Sequence, residues 1–182
     1  MTTYISLLRG INVSGQRIIK MEDLRKTFEN LGFQNIRTYV QSGNVVFTAE
    51  ESEIEIIKQN ISRQIEKDFG FDVPVIVLAS DKLEQIINKN PFLTDSGKDL
   101  AFMHVTFLAS EPSGYDKIKI EEKKQSGEEI RFSGDAVFLY CPHGYGKTRL
   151  SNSFLEANLK VTATTRNWKT TKELFKIAQQ LR

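Results

Sequence analysis

Two short segments approach the pattern G-x-x-x-x-G-K-[ST], in which glycine N–H groups and a lysine cradle phosphate oxygens ahead of a helix. Gly10 and Gly15 have the glycine spacing, but Gln16 and Arg17 stand where lysine and a hydroxyl residue are needed, and the helical pattern starts several residues later. Gly146-Lys147-Thr148 has the right ending, but Cys141 takes the first glycine position. Neither segment meets the requirements of a nucleotide-hydrolysing loop. Plain anion binding requires less. A helix expected from Arg149 to Leu159 would carry Lys147 and Arg149 around its N-terminus, where free backbone N–H groups and two cations suit a phosphate or a carboxylate. The competing reading is that these residues cap and solubilise the helix.

A third segment, Thr164-Thr165-Arg166-Asn167-Trp168, is expected to join a short strand to the last helix. It places a planar cation, an amide and the only tryptophan in consecutive positions, a set suited to stacking on a base or ring. The alternative is a buried Trp168 with Arg166 and Asn167 bonded to loop carbonyls. Cys141 is the only cysteine, so no intrachain disulfide and no cysteine-based zinc site can form. His104 and His143 lie in different segments, neither with a second histidine at helical spacing, and no metal site is expected. A sheet that binds RNA through exposed aromatics would need them in the third strand, which here reads Gly43-Asn44-Val45-Val46-Phe47. No Ser/His/Asp or Cys/His set is assigned, and the catalytic residues and any cofactor are left unassigned.

The elements that must hold these residues are those of an ordinary globular protein: 182 residues, 40% hydrophobic and 26% charged, with 4 Pro and 11 Gly. No apolar run approaches the ~18 residues of a membrane span. The formal net charge is +2, unevenly spread: residues 1–146 carry 17 basic against 21 acidic side chains, and residues 147–182 carry 8 against 2. An anion-facing patch in the last fifth competes with a plain solvated face. The first residues lack the basic and apolar regions of a signal peptide, so the expected location is cytoplasmic.

Tyr4–Leu8 reads as a buried strand ended by Arg9-Gly10. Met21, Leu24, Phe28 and Leu31 make one helical stripe, closed by Gly32, and Ile54, Ile57, Ile61, Ile65 and Phe69 make a second, closed by Gly70. Ile36–Val40 and Val45–Phe47 flank Ser42-Gly43-Asn44 as a hairpin, and Val73–Leu78 completes the order βαββαβ. After a short helix, Asp81–Asn88, and a polar stretch, the same order recurs: strand Leu100–Leu108, a weak helix or turn at residues 113–124, strands Glu129–Phe132 and Ala136–Tyr140, a helix and the strand Lys160–Thr164. A last helix is expected from Thr170 or Thr171, with Thr170 and Glu173 as a capping box. Ser42-Gly43-Asn44-Val45-Val46-Phe47 matches Ser133-Gly134-Asp135-Ala136-Val137-Phe138 at an offset of 91 residues. The expected fold is therefore α+β: two tandem ferredoxin-like (βαββαβ) halves with mainly antiparallel sheets and a C-terminal helix. The halves are residues 1–79 and 100–182, joined by a helix and linker at 80–99.

Three segments, Leu8-Arg9-Gly10-Ile11-Asn12-Val13, Thr38 to Phe47 and Thr164 to Trp168, together resemble the bacterial DUF1697 family of uncharacterised proteins. The resemblance spans essentially the whole chain, implies two ferredoxin-like halves and implies no established activity. Lys147-Thr148-Arg149-Leu150 resembles the family's basic-hydroxyl-basic-Leu run, while Ser14 departs from the glycine often found there. Arg9, Asn12, Gln41 and Asn44 are expected to converge where neighbouring strands end. With Lys147, Arg149, Arg166, Asn167 and Trp168 they form the expected binding set for a small anionic or nucleotide-like ligand at a cleft between the halves. The rival readings are a structural or protein-interaction module without catalysis, and an enzyme acting on a phosphorylated substrate. Nucleic acid has no recognition motif to support it, and no membrane contact is expected.

Overall fold

Strand β1 (Thr2–Leu8) is buried over nearly its whole length, as a strand with neighbours on both edges must be. It lies between β3 (Asn44–Ala49) and β4 (Val75–Ala79), with β2 (Gln34–Tyr39) beyond β3, so the sheet order is β2-β3-β1-β4 and every pairing is antiparallel. The computed structural model describes residues 1–182, which fall into two units: residues 1–84 with 173–182, and residues 85–172.

In the first unit, helices α1 (Met21–Asn30) and α2 (Ile54–Phe69) bury the predicted stripes, Leu24 and Phe28 from one, Ile57, Ile61 and Ile65 from the other. These close on the sheet face that carries Tyr4, Leu8, Val45, Phe47, Val75 and Val77. Phe47 anchors this core: its ring lies 4.6 Å from Phe33, 5.3 Å from Phe28 and 5.8 Å from Tyr4, centroid to centroid. Burial of a ring this size stabilises by about 3 kcal/mol. Gly32 and Gly70 end the helices in the left-handed region that a side chain would resist.

In the second unit, β5 (Met103–Leu108), β6 (Glu129–Ser133), β7 (Ala136–Tyr140) and β8 (Ala163–Asn167) form an antiparallel sheet of order β6-β7-β5-β8. Short α4 (Lys117–Glu121) and α5 (Asn152–Leu159) accompany it, and Ile120, Leu155 and Leu159 join Leu108, Ile130, Val137 and Leu139 in one core. The fold is α+β with two four-stranded antiparallel sheets and a C-terminal helix. Helices α3 (Ser80–Asn88) and α6 (Trp168–Gln180) each contain a boundary between the units. The last ten residues group with the first unit. There Thr3 Oγ1 donates to the Leu181 carbonyl at 3.3 Å, and the Arg182 guanidinium donates to Ser80 Oγ at 3.1 Å and Asp81 Oδ1 at 2.7 Å. No helix is long and apolar enough to cross a membrane.

Three local expectations change. The six-residue sequence match is not the structural repeat. Tyr39 pairs with Asn44 across a four-residue turn, whereas Ser133 pairs with Ala136 across two residues. As a result Val45 and Phe47 face the helix-side core of their unit, while in the matched segment it is Val137 that does so and Phe138 that faces away. A one-residue slip in a strand turns every side chain to the other face, and the match is out of phase by that one residue. The strand expected at Lys160–Thr164 lies three residues later, so Thr164–Asn167 are strand rather than loop and Trp168 opens α6. Asn167 Oδ1, not the Thr170–Glu173 pair, accepts the helix-start N–H of Thr170 at 2.8 Å.

The two turn glycines separate cleanly by what surrounds them. A Cβ on Gly43 would stand 2.6 Å from Leu8 Cβ and 2.9 Å from Ile11 Cδ1, at φ +80°, whereas one on Gly134, at φ +60°, would meet nothing within 4 Å. Gly43→Ala should therefore cost about 3 kcal/mol and Gly134→Ala about 1 kcal/mol, read from urea unfolding midpoints. Equal losses would contradict the close approach at Gly43.

Candidate functional site

The twelve-residue loop between β1 and α1 is built by backbone conformations that most residues avoid. Gly10, Asn12, Ser14, Gly15 and Arg17 all have φ between 47° and 72°. Ser14 and Gly15 form the two central positions of a tight turn in which Val13 and Gln16 face each other and Gln16 N–H donates to the Val13 carbonyl at 3.0 Å. Positive φ at both positions is the hairpin-type turn. The Gly10 and Gly15 spacing thus serves a miniature hairpin and not a phosphate loop, and no helix starts before Met21. A glycine at position 14 would suit this turn at least as well as Ser14 does.

Asn12 fixes the loop. Its Oδ1 accepts from Ile19 N–H at 2.8 Å, and its Nδ2 donates to the Ile19 carbonyl at 2.9 Å and to the Gln41 carbonyl at 2.8 Å. Buried Ile11 and Ile19 anchor the two loop ends on either side of this clamp. Asn44 has a similar inward role: fully buried, its Nδ2 donates to the Tyr39 carbonyl at 3.0 Å and to Ser42 Oγ at 2.9 Å, closing the β2–β3 turn. Leu8 N–H donates to the Gly43 carbonyl at 2.9 Å. The segments around Arg9–Asn12 and Gln41–Asn44 do meet, but the two asparagines turn their amides inward, to backbone and, for Asn44, also to Ser42 Oγ.

This junction turns cationic side chains outward, next to exposed Val13 and Ile18. Arg9 is half-buried at the end of β1, with its backbone N–H given to the Pro74 carbonyl at 2.9 Å. Arg17 is exposed, and its guanidinium folds back over Gly10, where Nη1 lies 3.9 Å from the position a Cβ would take. Lys20 and Gln41 are exposed beside it in sequence and across the clamp. Arg17 and Lys20, which sequence reasoning left out, belong to this surface; the signal was their place in the loop that Gly10 and Gly15 punctuate.

In the second unit the expected residues separate. Lys147 and Arg149 are exposed and precede the helix: Ser151 is the cap of α5, its Oγ accepting from Phe154 N–H at 3.2 Å, so neither cation lies in the first turn. Arg166 is 8% exposed on β8 and donates to Thr164 Oγ1 at 2.7 Å and the Thr165 carbonyl at 3.0 Å. Burial pushes its pKa down to about 10, so it stays charged at neutral pH. Asn167 is exposed and caps α6, and Trp168 is buried. On the opposite face of this sheet from Arg166, Thr165 Oγ1 bonds to Thr106 Oγ1 at 2.8 Å and donates to Asn152 Oδ1 at 3.0 Å, while Asn152 N–H donates to the Tyr145 hydroxyl at 2.8 Å.

Cys141 is fully buried, and desolvation, with the Glu128 charge adding to it, pushes its thiol up to about 11. Such a thiol carries almost no thiolate at neutral pH and is a packing group rather than a nucleophile. His104 is half-buried and stacks on Tyr145 at 4.8 Å, and its Nδ1 is enclosed without a hydrogen-bond partner. No group of His, Cys, Asp and Glu side chains is arranged to hold a metal.

Residues 1–138 match the family described as "Protein of unknown function (DUF1697)". Among solved structures, the conserved bacterial protein SP0830 from Streptococcus pneumoniae is similar over 97% of this chain and 98% of that one, at 24% identity with a TM-score of 0.74, a likeness of fold. None of the curated proteins compared matches the chain.

Burial lowers the pKa of His104 below its ordinary value of 6.5. The folded state therefore holds fewer protons on this ring than the unfolded state below that value. Its contribution to stability is complete above about pH 6.5 and is lost as the pH falls toward the depressed folded value. His104→Phe should flatten the stability profile between pH 7.5 and 5, measured by urea unfolding; an unchanged slope would show that the ring is not desolvated as described.

Proposed function

The chain belongs to the DUF1697 family, and on that premise we propose that it binds a small anionic, phosphate-bearing or nucleotide-like ligand at the Arg9–Lys20 loop of the first unit. The observation that carries the reading is the placement of the Arg17 guanidinium over Gly10, next in sequence to Arg9, on a loop held by the three hydrogen bonds of Asn12. A cation on a mobile loop must be ordered when an anion binds, which costs side-chain and backbone entropy; one on a clamped loop has less to lose. Guanidinium groups also match phosphate and carboxylate oxygens in pairs. The order βαββαβ in each unit, with the strand orders found here, supports a ferredoxin-like reading of both halves. Catalysis is not part of the proposal.

A second reading has its own observation. Val13 and Ile18 are each 59% exposed and Val40 is 49% exposed, all beside the Asn12 clamp, a mix of apolar and cationic groups that suits a protein partner.

Isothermal titration with pyrophosphate, a nucleoside monophosphate and acetate separates the readings. Phosphate-bearing ligands should bind more tightly than acetate, and Arg17→Ala, a surface change, should weaken binding about tenfold or more. Raising the salt from 50 to 300 mM should weaken it further. Binding that survives Arg17→Ala unchanged, or no binding to any of the three, would overturn the anion reading and leave the protein-partner reading standing.

A further inference from the structure

Val40 is the one β-branched residue of the chain with φ in the left-handed region, at +52°. Its branched Cβ crowds the backbone there, in a conformation that asparagine or glycine adopts readily. The side chain does nothing inside the protein to offset that strain, since it is 49% exposed and takes no part in the core of its unit. Val40 therefore carries two costs at once, a strained backbone and apolar surface in water. Strain of this kind collects at binding sites and switches.

Two further apolar side chains stand on the same junction. Val13 and Ile18, each 59% exposed, lie in the loop that Asn12 holds. Each of the three is one residue from a group in that clamp. Val13 follows Asn12 itself, Ile18 precedes Ile19, whose N–H and carbonyl bond to the Asn12 amide, and Val40 precedes Gln41, whose carbonyl accepts from Asn12 Nδ2 at 2.8 Å. Ile18 also follows Arg17 directly. The charge on the two stretches has one sign: residues 9–20 hold Arg9, Arg17 and Lys20, residues 34–44 hold Arg37, and neither contains an Asp or Glu.

A bare anion gains nothing from exposed valine and isoleucine. Three such side chains by themselves supply far less than the ~800 Å² that each partner gives to a stable protein–protein interface. Their scale is that of one ring or one branched chain. We propose that the ligand of the Arg9–Lys20 loop carries its phosphate on an apolar body, as an aryl or branched-alkyl phosphate monoester does, with the phosphate at Arg17 and the apolar body on Val13, Ile18 and Val40. This ligand class rests on the anion reading of the same loop and adds the feature that tells one phosphate ester from another there.

The probes are phenyl phosphate and methyl phosphate at about pH 8, where both are dianions, titrated into the full-length protein and followed by calorimetry and by side-chain methyl proton shifts. Phenyl phosphate should bind about fivefold or more tightly than methyl phosphate. Its ring should also move the methyl resonances of Val13, Ile18 and Val40 through ring-current shielding, which methyl phosphate cannot produce. Val40→Asn with Ile18→Thr should bring the phenyl-to-methyl affinity ratio below about two. Val40→Asn alone should raise the urea unfolding midpoint, because asparagine relieves the strain, so a preference lost there is not a lost fold. Equal binding of the two phosphates at this loop would overturn the ligand class and leave the anion reading intact. A phenyl preference that survives the double substitution, or ring-current shifts confined to other methyl groups, would overturn the ligand class as well. Binding of neither phosphate would overturn both.

Discussion

The side chain of Asn12 joins three stretches of backbone that the chain otherwise leaves apart: the loop after β1, the entry to α1 at Ile19 and the β2–β3 turn at Gln41. A loop with five residues in the left-handed region is conformationally expensive, because three of them, Asn12, Ser14 and Arg17, carry a Cβ that crowds the backbone at positive φ. The three hydrogen bonds, worth roughly 1 kcal/mol each net, offset that cost and turn a strained connection into a fixed one. Gly43 serves the same junction from the other side, since only the absence of a Cβ lets the turn lie against Leu8 and Ile11. The cationic surface of Arg9 and Arg17 depends on both.

The second unit handles a cation differently. Arg166 is taken out of water along β8, where desolvation costs several kcal/mol and must be met by hydrogen bonds such as those to Thr164 and Thr165. Its role there is fixed by burial, while Arg17 faces solvent. Cys141 and His104 show the same trend: neighbours enclose them and push both toward their neutral forms. These three enclosed groups are structural, and the surface charge of Lys147 and Arg149 stands apart from them.

Much of this architecture was legible in the residues. The helical stripes at Met21–Leu31 and Ile54–Phe69, and their closing glycines, follow from a period of 3.6 and from the conformational freedom of glycine, both local properties. Strand β8 was misplaced because Thr164-Thr165-Arg166-Asn167 has no apolar alternation; pairing with β5, from Leu108 opposite Ala163 to His104 opposite Asn167, specifies it instead. The internal repeat was seen in the wrong phase because both hairpins use Ser-Gly followed by Asn or Asp, residues chosen by turn chemistry and not by register. The Arg9–Asn12 and Gln41–Asn44 segments meet through Asn12 Nδ2 to the Gln41 carbonyl and Leu8 N–H to the Gly43 carbonyl. Which of their side chains would be consumed by backbone hydrogen bonds depends on distances that no pattern encodes.

Amide-resolved titration of the wild-type protein with pyrophosphate tests most directly whether the clamped loop is a preorganised anion site. Saturable shifts centred on Gly10, Ile11, Ser14 and Arg17 are expected, with the Ile19 amide, which donates to Asn12 Oδ1, already protected from hydrogen exchange before ligand is added. Shifts that saturate elsewhere with this loop unmoved, or an Ile19 amide that exchanges as fast as an open loop, would contradict a preorganised site.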